Sequence, residues 1–183
     1  YLVTLMVKKK FLFIAKEVIN LEIKALQKLK KNINSSFSKA VIQIAKCQSK
    51  VVLCGVGKSG IIASKIAATL SSVGTPSFYL SASDSSHGDL GSLSKKDVLI
   101  LISYSGQTNE LKNIIQYTSR NKNIKLIGIT SKKDSLLYKN SNVKFLLPSV
   151  KEAGPGSYVP TSSTTVQIAL GDAIAITCMQ YKK

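Results

Sequence analysis

The 183-residue sequence predicts an α/β fold: a three-layer α/β/α sandwich with a five-stranded parallel sheet, preceded by an N-terminal helical hairpin. Two observations carry this reading. Short apolar runs of strand length alternate with helix-length segments, and alternation of that kind requires parallel strands joined by right-handed crossovers that cover both sheet faces. Glycine- and serine-rich loops also sit where strands lead into helices, the place where ligands bind in open parallel sheets.

The elements follow in order. Residues 11–31 read as an amphipathic helix, with Val18, Leu21, Ala25, Leu29 and then Ile33 at helical spacing between lysines. A break at 32–36 precedes a second helix over 37–48. Strands are expected at 51–54, 77–80, 97–103, 125–130 and 143–147. Helices are expected at 59–73, 108–121 and 164–180, with a polar loop at 81–93 and a Gly/Pro/Ser loop at 149–163. Residues 1–48 are read as an arm packing on the main domain at 49–183, the two forming one structural domain.

Composition narrows the function. The net charge is +17, but Arg120 is the one arginine among 26 basic residues and the lysines are scattered. Nucleic-acid readers favour arginine forks, so no nucleic-acid partner is expected; the charge should instead draw small anions. The longest apolar runs are far too short to span a bilayer, so no membrane partner is expected either. The first ten residues place their basic cluster after the apolar stretch, the wrong order for a secretory signal. Met6 is a candidate start, with residues 1–5 upstream of it. Cys47, Cys54 and Cys178 lack metal-ligand spacing and lie in apolar contexts, which points to buried reduced thiols and a cytoplasmic protein.

Two loops carry the chemistry. Gly55-Val56-Gly57-Lys58-Ser59-Gly60 follows a strand and opens a helix. It matches the dinucleotide fingerprint literally, but no acidic residue lies between Ser59 and Ser83 to hold a ribose. A Walker loop fails as well, because Val52 stands where its first glycine belongs. What remains is a turn that brings backbone N–H groups and Lys58 to a helix N-terminus, suited to one phosphoryl group. In the second loop, Ser103, Ser105 and Thr108 surround Gly106 at another helix start. Ordinary capping needs one hydroxyl, not three, so ligand binding is the stronger reading.

Together these loops resemble the sugar isomerase (SIS) domain family. Further motifs resemble its arabinose-5-phosphate isomerase branch: Gly74-Thr75-Pro76, His87-Gly88-Asp89-Leu90-Gly91, Lys151-Glu152-Ala153, Pro160-Thr161-Ser162-Ser163-Thr164-Thr165 and Leu170-Gly171-Asp172-Ala173. The resemblance implies a flavodoxin- or Rossmann-like sheet. It also implies interconversion of D-ribulose 5-phosphate and D-arabinose 5-phosphate through an enediol, feeding Kdo and lipopolysaccharide biosynthesis.

By motif match, Lys58, Glu110, Glu152 and His87 are the candidate catalytic residues. Glu152 is the candidate base, with a pKa raised toward neutrality by burial or neighbours. Lys58 is expected to stabilise enediolate or phosphate, and His87 to open the sugar ring or relay protons. Gly57, Ser59, Gly74, Thr75, Ser103, Ser105, Thr108, Ser162 and Ser163 are the candidate substrate-binding residues, Ser162 and Ser163 being equally readable as helix caps. No cofactor and no metal are expected. The expected partners are a small sugar phosphate and further copies of the chain, in a homotetramer with shared sites.

The sequence departs from the family pattern in lacking its His-Pro-Gly-Gly segment and its paired CBS domains, and Ser81 stands where some relatives carry a metal-linked histidine. These departures fit a short stand-alone form or a truncated product. A non-catalytic sugar-phosphate sensor, a SIS isomerase for another ketose phosphate and an inactive fragment remain as alternatives.

Overall fold

Alternation along the strands decides the layering. In a strand, successive side chains point to opposite faces, so Val51 and Leu53 of β1 (Val51–Gly55) enter one apolar cluster while Val52 and Cys54 enter another. In β3 (Val98–Ile102), Val98, Ile100 and Ile102 join the first cluster, and Leu99 and Leu101 the second. Every residue of these two strands is buried, as expected of central strands covered on both sides. The computed structural model describes residues 2–85 and 88–182.

The sheet is parallel throughout, in the order β2-β1-β3-β4-β5, where β2 is Ser77–Ser81, β4 Lys125–Thr130 and β5 Val143–Leu146. The first cluster is covered by α1 (Leu2–Asn32), α2 (Ser35–Ala45), α3 (Lys58–Ser72) and α7 (Ser162–Tyr181). The second is covered by α5 (Glu110–Arg120), by α6 (Leu136–Asn140) and by Ala82 of the single turn α4 (Ala82–Ser85). This is the expected three-layer sandwich.

Beyond shifts of one to three residues at other element ends, three features differ from expectation. Helix α1 begins at Leu2 rather than near residue 11, since no glycine or proline interrupts the preceding residues. The segment between β4 and β5 contains α6, which Ser135 starts by accepting the Tyr138 N–H at 3.2 Å. The polar loop after β2 contains α4 and a 3₁₀ turn at Asp89–Ser92. Cys54 and Cys178 are buried, and burial pushes their thiols up to about 12 and about 11; Cys47 is only half-buried, at the frayed end of α2. Among the described residues no helix is long and apolar enough to cross a membrane.

The order of the strands creates the binding crevice. The chain leaves β1 for β2 on one side, and the neighbouring β3 leads away on the other. Their following helices, α3 and α5, therefore depart to opposite faces and leave a gap between two helix N-termini. At the far edge, Asp97 pins the entrances of β1 and β3. Its carboxylate accepts the Ser94 N–H at 2.7 Å and the Ser94 hydroxyl at 2.8 Å, and pairs with Lys50 at 2.9 Å.

Burial alone would raise the Asp97 pKa, but these donors outweigh it and hold the carboxyl below its ordinary value. A lowered folded-state pKa gives stability that is complete above the unfolded value, about 3.9, and is lost as pH falls through the folded one. Asp97→Asn is expected to lower stability by about 1.5–3 kcal/mol at neutral pH. In urea melts across pH, that deficit should close only below about pH 4; a deficit independent of pH would refute the assignment.

Candidate active site at the carboxyl edge of the sheet

Which helices carry a cap locates the site. The first N–H groups of any helix lack intrahelical partners and need an acceptor. Asn34 supplies one for α2 through the Ser36 N–H at 2.8 Å, and Ser135 does so for α6. Helices α3 and α5 have no side-chain cap: their N-cap residues are Gly57 and Asn109, and neither side chain bonds back. These are the two helices that open on the crevice. Helix α3 has no acidic residue in its first turn and begins instead with Lys58, a cation at the positive end of a helix dipole. That arrangement is unfavourable by itself and becomes favourable once an anion sits between them.

The glycines of the first loop are required by geometry. Gly57 has a φ of +57°, and a Cβ on Gly55 would lie 2.8 Å from the Ser59 carbonyl oxygen. The turn can thus be tight enough to start α3 immediately beside the end of β1. In the second loop, Ser103 Oγ accepts the Gly106 N–H at 3.0 Å and lies 3.0 Å from Thr108 Oγ1. In a hydroxyl pair one member donates, which leaves the other's proton for a ligand. Ser105 is exposed, with its Oγ 3.4 Å from the Gln107 N–H.

Both loops border a cavity of about 430 Å³, lined on this side by Lys58, Ser59, Ser103, Ser105 and Thr108 and closed by Glu152, Ser163, Thr164 and Gln167. The carboxylate of Glu152 caps α7. Its Oε2 accepts the Thr161 N–H at 2.8 Å, the Ser163 N–H at 3.1 Å and the Thr161 hydroxyl at 3.1 Å. Partial burial pushes the Glu152 pKa upward, yet the hydrogen bonds from Ser163 and Thr161 prevail, and the pKa lies below the ordinary glutamate value. The expectation of a pKa raised toward neutrality is therefore corrected: a helix N-terminus stabilises the charged form.

The remaining expected residues are placed as follows. Gly57 and Ser162 are next to lining residues but do not line the cavity; Ser162 is the buried first residue of α7, with an Oγ that makes no hydrogen bond among the described residues. Glu110 is the exposed first residue of α5 and is not part of the cavity wall. Gly74 and Thr75 are not brought to the cavity at all. They precede β2 at the opposite edge of the sheet, where Val51 of β1 bonds Pro76 and where Thr75 accepts from Lys182 at 3.0 Å. The length of a five-residue strand, roughly 16 Å, separates the two edges. His87 lies outside the described residues.

Several lining residues were not singled out by the sequence: Tyr104, Ser157 and Tyr158. Gln167 and Thr164 had a signal there. They follow Ser163 on α7, and Gln167 lies four residues on, on the same face.

A parallel α/β sandwich with an anion-suited cavity at its switch point is the class this geometry defines. Residues 43–177 match the SIS domain, and the chain belongs to that family. It is 43% identical over 171 residues to the arabinose 5-phosphate isomerase KdsD of Francisella tularensis, a match covering 92% of this chain and 52% of that protein. It is 39% identical over 167 residues to KdsD of Escherichia coli K12, covering 91% of this chain and 51% of that protein. The chain spans about half the length of these curated relatives. Among solved structures, that of the E. coli CFT073 protein c3406 in complex with arabinose 5-phosphate superposes with a TM-score of 0.91 at 36% identity, covering 95% of this chain and 92% of that one. The Vibrio vulnificus NanR protein, complexed with ManNAc-6P, has a TM-score of 0.78 at 19% identity over 92% of this chain and 62% of that one, a likeness of fold alone. The expected membership of the family, in its arabinose-5-phosphate isomerase branch, is thus borne out.

The segment that bears Glu152 is tethered to the second loop by Tyr104. Its hydroxyl donates to the Pro148 carbonyl at 3.1 Å and accepts the Val150 N–H at 3.0 Å. Tyr104→Phe is expected to lower stability by about 1–2 kcal/mol for the two bonds. The more specific readout is faster hydrogen exchange at the Val150 amide, with exchange in β3 unchanged; equal acceleration in both places would show general destabilisation instead.

Proposed function

We propose that the protein is an aldose–ketose isomerase that interconverts D-ribulose 5-phosphate and D-arabinose 5-phosphate through an enediol intermediate. We place it in the cytoplasm, in the supply of Kdo for lipopolysaccharide. One observation carries the reading: a single cavity has the uncapped N-terminus of α3 with Lys58 and the hydroxyls of the loop leading into α5 along one wall, and an ionised carboxylate, Glu152, on another. The names of the relatives supply the sugar.

In this reading the phosphate sits against the N-termini of α3 and α5. Ser59, Ser103, Ser105 and Thr108 donate to its oxygens, and the backbone beside Gly57 contributes N–H groups. Anchoring that end brings the sugar's C1 and C2 to Glu152. Isomerisation removes a proton from the carbon next to the carbonyl and returns it to the former carbonyl carbon, while a hydroxyl proton passes between the two oxygens. Glu152 takes the carbon-bound proton through Oε1, because Oε2 is held by α7. Lys58 stabilises the negative oxygen of the enediolate. Ring opening and proton relay are assigned to His87 and assistance to Glu110, both on the resemblance. A carboxylate of lowered pKa is a weaker base, so electrostatic stabilisation by Lys58 has to carry more of the barrier.

Gly74, exposed at the opposite edge of the sheet, can serve a site only in another copy of the chain, whereas Thr75 is buried and engaged by Lys182. Phe11, Leu12, Phe13, Ile14 and Ile19, exposed along α1, offer an apolar surface for such assembly. We therefore propose a homotetramer with shared sites, to be checked by size-exclusion chromatography with light scattering; a monomer at all concentrations would rule it out.

Incubation of purified protein with ribulose 5-phosphate is expected to yield arabinose 5-phosphate. Glu152→Gln should reduce kcat by at least about 100-fold, whereas full activity would transfer the role of base, with Glu110→Gln the next variant to assay. A second reading is favoured by the hydrogen bonding of Glu152 itself: capping α7 is reason enough for a carboxylate there, and a sugar-phosphate sensor needs no base. Binding of arabinose 5-phosphate without turnover would select that reading. Binding and turnover of a different ketose phosphate would change the substrate but not the chemistry.

A further inference from the structure

A buried amide in the cavity wall has no part in this scheme. Gln167 is 2% exposed, lines the cavity beside Ser163 and Thr164, and its Oε1 makes no hydrogen bond among the described residues. Buried side-chain acceptors in folded proteins nearly always have a protein or water partner, and leaving one unmet is destabilising. Packing does not call for an amide here. Val166 and Leu170, the neighbours of Gln167 along α7, are fully buried apolar residues, and a leucine would occupy similar space.

The place of Gln167 in the site indicates its use. It lies one turn, roughly 6 Å, further along α7 than Ser163, whose N–H holds Glu152. An amide offers both an acceptor and two donors, and rotation of its end group exchanges them. It therefore suits a neutral hydroxyl, which donates and accepts, and adds no charge to meet a phosphate. Ser162 is the contrasting case. Its Oγ is also unpartnered, but Ser162 does not line the cavity.

We infer that Gln167 is a substrate-binding residue that fixes a hydroxyl of the sugar chain, setting the sugar's orientation beneath Glu152 while the helix N-termini hold the phosphate. This inference rests on the sugar-phosphate reading above. It also explains why α7 keeps a polar residue in an apolar stretch: the amide is incompletely satisfied until the sugar arrives.

The test compares two ligands and two isosteric variants. Calorimetric titration of wild type, Gln167→Leu and Gln167→Met with arabinose 5-phosphate and with inorganic phosphate separates the two ends of the site. Both variants are expected to bind arabinose 5-phosphate about tenfold more weakly and inorganic phosphate within about twofold of wild type. Their melting temperatures without ligand should equal or exceed the wild-type value, because the unmet acceptor is gone. Unchanged affinity for arabinose 5-phosphate in both variants would overturn the inference and leave the sugar-phosphate reading intact. Equal loss for both ligands, with lower melting temperatures, would overturn it too by making Gln167 structural. A wild-type protein that binds neither ligand would remove the parent reading and this inference together.

Discussion

The structure depends on how helix N-termini are satisfied at the carboxyl edge of one parallel sheet. A parallel sheet delivers its helices' positive ends to the same edge, where each must find an acceptor. In this protein α7 finds Glu152, through two backbone N–H groups and a threonine hydroxyl, while α3 and α5 find no side chain. The unequal distribution is what makes a site. Had Asp or Ser capped α3 in place of Gly57, the crevice would already hold its acceptor; with glycine at the cap and lysine following, it favours an anion from solution.

That edge is held in place by the two apolar clusters on either side of the sheet. Because β1 and β3 are buried at every position, neither can shift by one residue without carrying its side chains from one cluster to the other. The loops that follow them are fixed in turn: Gly55 by close approach of the Ser59 carbonyl, Ser103 by its bond from Gly106, and the Glu152 segment by Tyr104. The site therefore borrows its rigidity from the strands, although most of its residues belong to loops and helix starts.

The sheet and its order of elements were legible in the sequence because buried strands announce themselves as short apolar runs between glycine- and serine-rich loops. Helix α6 was not, since a five-residue helix shows too little periodicity to register and only Ser135 marks its start. The first wall of the cavity was legible for the same reason as the strands: Lys58, Ser59, Ser103, Ser105 and Thr108 follow them directly. Gln167 was visible in principle at helical spacing from Ser163, but a polar residue within an apolar helix carries meaning only when its burial is known. The position of Gly74 and Thr75 at the opposite edge follows from strand direction, which a motif comparison does not weigh. The lowered pKa of Glu152 was the least legible feature, as it arises from hydrogen bonds with residues nine and eleven positions away across a loop.

Those hydrogen bonds place two demands on one carboxylate. As the cap of α7, Glu152 must stay ionised, and the helix holds it so. As the base of the proposed isomerisation, it would have to accept a proton from carbon, and the same stabilisation makes it less basic. The two roles are compatible in that scheme if they use different oxygens: Oε2 takes the Thr161 and Ser163 N–H groups and the Thr161 hydroxyl, while the Ser163 hydroxyl adds to the stabilisation of the carboxylate. The cap then acts as a positioning device, fixing the rotation of the carboxylate so that one oxygen is presented to the cavity at no further entropic cost when substrate binds. In the proposed reaction, what the residue gives up in basicity would have to be recovered at the other end of the reacting carbons, by lowering the energy of the enediolate rather than by strengthening the base. Lys58, at the positive end of an uncapped helix, is the group in this cavity suited to that task.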